Sequence, residues 1–189
     1  MKYDISKSPT RSARRTLEAF SSALFGLCAE KPFERISASE LCERAGYPRA
    51  TFYNYFDDKF DLLEYCWHRL ADELDFEGFR DIDPEQVPFV FFGRMCDMID
   101  RNADAAAAIA RCNEAAGYFF ASMRTFMDAR VREIMLAGLC GRSYPVPLEL
   151  MAEHYAGTLL LVLRWLYLRD ASCTREQARE TLAYLLGNL

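Results

Sequence analysis

Apolar residues recur at helical spacing along almost the whole chain. The first stretch, between Thr10 and Ala29, places them at steps of four, three, four and three, the period of an amphipathic α-helix. The same period predicts further helices near 58–76, 86–101, 103–112, 115–137, 147–169 and 174–187. No run alternates as a strand would, and no glycine-rich phosphate loop occurs. We therefore predict an all-α fold of about nine helices, once the two short helices within 37–56 are included.

Residues 37–59 carry the most specific local pattern. Ser37 followed three residues later by Glu40 is a capping box, which predicts the start of a short helix. Gly46 can adopt a positive φ and end that helix, and Pro48 suits the first position of the next one. Phe52 and Phe56 lie four positions apart and bury one side of the second helix. This layout predicts a DNA-reading helix-turn-helix, although any small helical hairpin also needs a cap, a glycine and an apolar side.

The run Ala45–Phe56, followed by Lys59 and Leu62-Leu63, resembles the DNA-binding domain of the TetR-type (TetR/AcrR) transcriptional regulators. The resemblance covers about residues 10–65. Two positions depart from the family pattern, because Pro48 replaces the usual serine and Ala50 stands where glycine is common. The resemblance implies that hydroxyl and lysine side chains hold phosphates and that the start of the second helix faces base edges. The predicted DNA-binding residues are Ser37, Ser39, Arg49, Ala50, Thr51, Tyr53, Asn54, Tyr55 and Lys59.

Charge is distributed unevenly along the chain. The net charge of −5 alone argues against a nucleic-acid partner, but residues 1–56 carry a net +3 and the remainder a net −8. A basic start on an acidic body is expected when only one end meets phosphate. The basic residues Lys2, Lys7, Arg11, Arg14 and Arg15 lie at the start, where they either add DNA-backbone or minor-groove contacts or form a solvated tail.

Breaks in the pattern over residues 75–88 predict a boundary between two domains. We expect a helix-turn-helix DNA-binding domain at 1–60, a linking helix at about 58–76, and a helical effector-binding and dimerisation domain at 77–189. The stretch 155–168 is apolar on almost every side, which favours burial by a partner chain, with monomer core as the alternative. The family resemblance also implies dimerisation by the last two helices, as in a four-helix bundle. The predicted interface residues are Tyr155, Leu159, Leu163, Leu166, Leu182 and Leu185.

Aromatic and methionine residues cluster on the middle helices. Such linings suit adaptable apolar pockets, and they equally suit an ordinary core. The resemblance favours a pocket for an apolar or aromatic small-molecule effector. The predicted pocket residues are Phe92, Met95, Phe119, Met123, Phe126, Met127 and His154.

Other chemistries find little support in the sequence. The seven cysteines lack paired Cys-x-x-Cys spacing, and the two histidines lie far apart, so we expect no metal site, no cofactor and no enzymatic activity. A redox-sensing role for Cys112 or Cys140 is the alternative to buried, reduced cysteines. With no secretory signal and no run of about 20 apolar residues, we expect a cytoplasmic protein. The predicted function is a homodimeric repressor released from a palindromic operator by a small molecule; the alternative is an activator or co-regulator controlled by a protein partner.

Overall fold

The structure, a computed structural model, describes residues 9–74, 76–79, 82–83, 85–139, 145–169 and 172–187. Within these ranges it contains nine α-helices and no strand, as the sequence predicts. Short 3₁₀ turns occur at Phe33–Arg35 and Phe76–Phe79, and the eighth helix continues as a π-helical turn, Trp165–Arg169. The helices are α1 (Arg11–Cys28), α2 (Ala38–Ala45), α3 (Arg49–Tyr55), α4 (Lys59–Glu73), α5 (Val87–Arg101), α6 (Ala103–Cys112), α7 (Tyr118–Leu139), α8 (Leu148–Arg164) and α9 (Arg175–Gly187).

The chain folds as two compact units. The first comprises Met1–Leu70 and Asn102–Arg124, and the second comprises Ala71–Arg101 and Thr125–Leu189. Helices α4 and α7 each begin in the first unit and end in the second. The segment Asn102–Arg124 thus packs with the amino-terminal helices, although in sequence it lies within the predicted effector domain, 77–189. The division into a DNA-binding and an effector domain stays a prediction.

Helix α1 buries its apolar side in the core of the first unit. Thr10 caps its start, since the hydroxyl oxygen accepts a hydrogen bond from the amide of Ala13 at 3.2 Å. Leu17, Phe20 and Leu24 are fully buried along the predicted stripe. The helix therefore begins and ends within a residue of its predicted bounds and supports the two short helices that follow.

Helix α4 begins at an acidic cap. Asp58 Oδ1 accepts hydrogen bonds from the amides of Phe60 at 2.8 Å and Asp61 at 3.0 Å. The sequence predicts one apolar side for this helix that includes Phe60, Leu63 and Trp67. Leu63 and Trp67 are buried, but Phe60 is 40% exposed. Phe60 lies in the first turn and packs edge-on against the ring of Tyr118, with the ring centroids 4.7 Å apart, so one of its sides remains open to solvent.

Asn113 connects distant parts of the first unit. Its side chain is buried, and Oδ1 accepts a hydrogen bond from the Phe33 amide at 2.8 Å. Its Nδ2 donates to the carbonyl oxygens of Cys28 at 2.8 Å and Ile109 at 2.9 Å. Three backbone groups from α1, the first 3₁₀ turn and α6 therefore meet at one side chain.

The second unit is built around α5, α8 and α9. Arg175, at the start of α9, donates to Asp97 Oδ1 at 2.6 Å and to the Gly93 carbonyl at 3.1 Å. The spacing of Thr174 and Gln177, three positions apart, predicts a capping box at the start of α9. That capping box is present, since Gln177 N donates to Thr174 Oγ1 at 3.2 Å and Thr174 N donates to Gln177 Oε1 at 2.9 Å. In the part of the chain that the structure describes, no helix is both long and apolar enough to cross a membrane.

Candidate nucleic-acid interface

The start of α2 is fixed by the predicted capping box. Glu40 N donates to Ser37 Oγ at 3.3 Å, while Glu40 Oε2 accepts from Ser37 N at 3.0 Å and from Ser37 Oγ at 2.8 Å. The Lys31 ammonium, which pairs with this carboxylate, and the Ser37 donors lower the pKa of Glu40 to about 2. Both Ser37 and Ser39 are exposed, but the Ser37 hydroxyl hydrogen is directed to Glu40, so a phosphate contact by Ser37 would break this bond.

Gly46 forms the turn between α2 and α3. Its φ of 72° lies in the left-handed region, as the sequence predicts, and the Tyr47 amide donates back to the Cys42 carbonyl at 3.0 Å. Pro48 occupies the N-cap position and Arg49 is the first helical residue, so α3 begins one residue later than predicted. The Pro48 carbonyl accepts from the Thr51 amide at 2.9 Å, which closes the first turn of α3.

Aromatic packing sets the rotation of α3 about its axis. Phe52 and Phe56 are fully buried, and their ring centroids lie 5.3 and 6.3 Å from that of Phe20 in edge-on geometry. The ring of Tyr47 lies 5.6 Å from the same phenylalanine. With one side of α3 held against α1, the opposite side is directed away from the core.

The open side of α3 combines a cation, hydroxyl groups and an amide. Arg49 Nη2 donates to the Tyr53 hydroxyl at 3.3 Å, and its guanidinium carbon lies 5.8 Å from the tyrosine ring centroid. Both side chains are exposed, as are Ala50 and Asn54, while the predicted phosphate ligands Thr51 and Tyr55 are half-buried. The structure thus brings together on α3 the six predicted DNA-binding residues Arg49, Ala50, Thr51, Tyr53, Asn54 and Tyr55.

The Lys59 ammonium is hydrogen-bonded within the protein, whereas its predicted role requires it to be free to bind a phosphate. Its ammonium donates to the carbonyl oxygens of Phe33 at 3.0 Å, Glu34 at 2.8 Å and Ile36 at 2.9 Å. An ammonium group has three hydrogens, so all its donors are used. Partial burial lowers the pKa of Lys59. In this geometry Lys59 stabilises the turn before α2 and has no donor left for a phosphate, which corrects the predicted contact.

Cys28, Cys42 and Cys66 of the first unit are buried thiols, whereas Cys112 is half-buried. Burial raises the pKa of both Cys28 and Cys66 to about 12, so neither carries an appreciable thiolate fraction near neutral pH. Cys112 donates from Sγ to the Ala29 carbonyl at 3.2 Å. The other predicted redox candidate, Cys140, lies outside the described residues, as do Lys2 and Lys7 of the predicted arm.

The predicted effector-pocket residues are divided between the two units. Phe119 is buried in the first unit, and Phe92, Met95 and Met127 are buried in the second. Met123 and Phe126 are half-buried and His154 is exposed, so their environments differ widely. Two surface grooves are lined by other residues: Ser172, Cys173, Gln177, Glu180, Thr181 and Tyr184 in one, and Arg11, Ser12, Arg15 and Tyr47 in the other. An effector pocket therefore stays a prediction.

The predicted dimer residues also occupy different environments. Leu159, Leu163 and Leu182 are buried within a single chain, so they offer a partner no surface to cover, which corrects their predicted role. Tyr155 and Leu166 are half-buried, and Leu185 is 38% exposed. Sequence reasoning missed the apolar side chains on the exposed side of α8 and its π-helical turn, because a helix that is apolar all round gives no indication of its rotation. These residues are Leu150, Leu161, Trp165 and Leu168.

Comparison with known proteins identifies the fold of the chain and the family of its helix-turn-helix segment. Residues 22–66, which include the end of α1, all of α2 and α3 and the first half of α4, match the family model described as bacterial regulatory proteins, TetR family. This segment belongs to the TetR family. A TetR-family regulator from Streptomyces coelicolor superposes with a TM-score of 0.70 at 15% identity, covering 96% of this chain and 98% of that one. A TetR transcriptional regulator from Rhodococcus sp. RHA1 gives 0.56 at 22% identity, covering 95% and 100%.

A search of curated protein sequences finds no match to the chain. At these identities the two structural neighbours indicate a common fold, and the family match rests on the helix-turn-helix segment. The chain thus carries the helix-turn-helix segment of TetR-family DNA-binding transcriptional regulators.

Proposed function

We propose that this TetR-family regulator is a homodimer that reads a palindromic operator through α3. The observation that carries the proposal is the fixed rotation of α3, with Phe52 and Phe56 buried and Arg49, Ala50 and Tyr53 exposed on the other side. A short helix that presents its first residues to solvent in this way suits insertion into a major groove.

Different side chains of α3 have different roles in this proposal. Arg49 is placed to bind a guanine edge through two hydrogen bonds, which would contribute about 1–3 kcal/mol of discrimination, and the Ala50 methyl suits contact with thymine. Thr51, Tyr53 and Tyr55 carry hydroxyl groups suited to phosphates, which fix position without reading sequence. We leave Lys59 and Ser37 out of this set, because their donors are already used within the fold, and retain Ser39 and Asn54.

The dimer is proposed to form on the exposed apolar side of α8 and on α9. Leu161 and Trp165 are 47% and 49% exposed one turn apart, and Leu185 lies exposed on α9. Large apolar side chains grouped on an exposed helix side are typical of a protein interface. A two-fold dimer would place two copies of α3 about 34–36 Å apart, or a multiple of that, and would therefore read a palindrome.

Release by a small-molecule effector is the proposed control. The effector must bind better to a form whose two α3 helices are wrongly spaced, since a ligand with equal affinity for both forms shifts nothing. A coupling of about 1–3 kcal/mol would weaken operator binding roughly 5- to 150-fold, and DNA would weaken the ligand by the same factor. Equal effector affinity with and without DNA would refute this control. Activation, or control by a protein partner, is the alternative.

Selection of genomic fragments by the purified protein at moderate salt tests the proposal. We expect the wild type to recover one palindromic site and the double variant Thr51→Ala/Tyr53→Phe to recover none. Weak recovery of all fragments, lost when salt is raised, would mean non-specific electrostatic binding and would contradict the proposal. Thermal unfolding of both proteins controls for misfolding of the variant.

A further inference from the structure

A basic groove lies beside the helix-turn-helix, and none of its residues belongs to the DNA-reading side of α3. It is an open surface groove of about 460 Å³ lined by Arg11, Ser12, Arg15 and Tyr47. All four residues belong to the first unit. Arg11 and Arg15 are one helical turn apart on α1, so their guanidinium groups extend from the same side of the helix.

Arg11 and Arg15 give this groove two positive charges. Both arginines are exposed, and the first turn of α1 contains no acidic residue. Among the described residues, neither Arg11 nor Arg15 takes part in an ion pair. Two exposed guanidinium groups without carboxylate partners on one side of a helix favour an oxyanion ligand, because arginine binds phosphate through charge-assisted hydrogen bonds.

Tyr47 fixes the groove next to the reading helix. Its ring packs against the buried Phe20 with a centroid separation of 5.6 Å. Tyr47 precedes Arg49, the first residue of α3, by two positions, so their Cα atoms are no more than about 7.6 Å apart. If α3 enters the major groove of DNA, a DNA strand at the edge of that major groove would therefore pass close to the basic groove of the protein.

We propose that the groove binds one backbone phosphate of the DNA, with Arg11 and Arg15 as the charged donors and the Tyr47 hydroxyl as a neutral one. This inference rests on the proposed DNA-binding function and adds a second contact, made by α1, to the contacts made by α3. A phosphate ligand of this kind contributes affinity and register, but no base preference.

The salt dependence of DNA binding tests the inference directly. The full-length double variant Arg11→Gln/Arg15→Gln is compared with wild type on the selected operator and on a scrambled duplex of the same length. Loss of one phosphate contact reduces the slope of log K against log salt by about 0.9, which corresponds to about fivefold weaker binding at 0.15 M salt and little change near 1 M. The same loss is expected on both duplexes, and Tyr47→Phe should weaken both to a smaller extent.

A matched control separates a local contact from net charge. Arg111→Gln/Arg179→Gln removes the same two charges from exposed positions on α6 and α9, and we expect the wild-type slope. An equal fall in slope in both double variants would overturn the inference, as would a wild-type slope for Arg11→Gln/Arg15→Gln. In either case the proposed function would stand if the wild type binds the operator more tightly than the scrambled duplex. A wild type that binds both duplexes equally would refute the proposed function instead.

Inorganic phosphate distinguishes a DNA phosphate from a free anion. At constant ionic strength, replacing chloride with phosphate should leave operator affinity unchanged, because the open groove is proposed to bind only phosphate presented by the duplex. Phosphate competition that the Arg11→Gln/Arg15→Gln variant abolishes would identify a free-anion site and overturn the inference.

Discussion

Asn113→Ala is expected to destabilise the first unit strongly. The substitution removes three hydrogen bonds of 2.8–2.9 Å from a side chain that is only 4% exposed. Ile109 O retains a partner, since it also accepts from the backbone amide of residue 113 at 3.0 Å. The Phe33 amide and the Cys28 carbonyl would be left without these partners in a buried site. Each such group costs about 1–3 kcal/mol, so we expect a total loss of about 2–6 kcal/mol.

Urea unfolding of the full-length protein measures this loss. The midpoint should fall in Asn113→Ala while the slope m stays at the wild-type value, which shows that stability and not compactness has changed. Glu114→Ala is the control, because the neighbouring side chain is exposed, and it should lie within about 0.5 kcal/mol of wild type. A loss below about 0.5 kcal/mol for Asn113→Ala would refute the conclusion that this side chain connects α1, the 3₁₀ turn and α6.

Three further predictions concern the turn, the α2 cap and the dimer. Gly46→Ala should lower the free energy of unfolding, measured in urea, by about 1–2 kcal/mol because φ is 72°. The helical control Gly157→Ala should raise it by up to about 1 kcal/mol. Equal effects of the two substitutions would contradict the role of the turn. Because the pKa of Glu40 is lowered from 4.5 to about 2, its contribution is complete above pH 4.5 and is lost as the pH falls towards 2. Glu40→Gln should therefore show a shallower loss of stability between these values, and an unchanged acid profile would contradict this. Leu161→Arg/Trp165→Arg should sediment as a monomer at concentrations where wild type is a dimer; sedimentation as a dimer would exclude this face.

The sequence predicts the elements that local chemistry controls. The Ser37 cap, the left-handed Gly46 and the α9 capping box all rest on residues no more than three positions apart, so their spacing is visible in one dimension. The buried side of α3 follows in the same way from the spacing of Phe52 and Phe56. The outward residues of the candidate DNA-binding helix could therefore be named in advance.

Contacts between distant segments could not be predicted in this way. Asn113 and Phe33 are 80 positions apart, and Lys59 reaches carbonyls 23 to 26 positions earlier, so no local pattern indicates either contact. The basic residues at the start of the chain could be recognised by charge, but the groove that Arg11 and Arg15 form with Tyr47 depends on how α1 packs against the turn. The apolar sequence of α8 left its rotation, and hence its exposed side, undetermined.

The affinity ratio between the selected operator and a scrambled duplex of the same length tests the central claim most directly. Measured by fluorescence anisotropy at one fixed salt concentration, it should be at least about 1,000 for wild type. Arg49→Ala should reduce this ratio by roughly 5- to 150-fold through loss of a base contact. A wild-type ratio near one, or an Arg49→Ala ratio equal to that of wild type, would contradict sequence reading by α3.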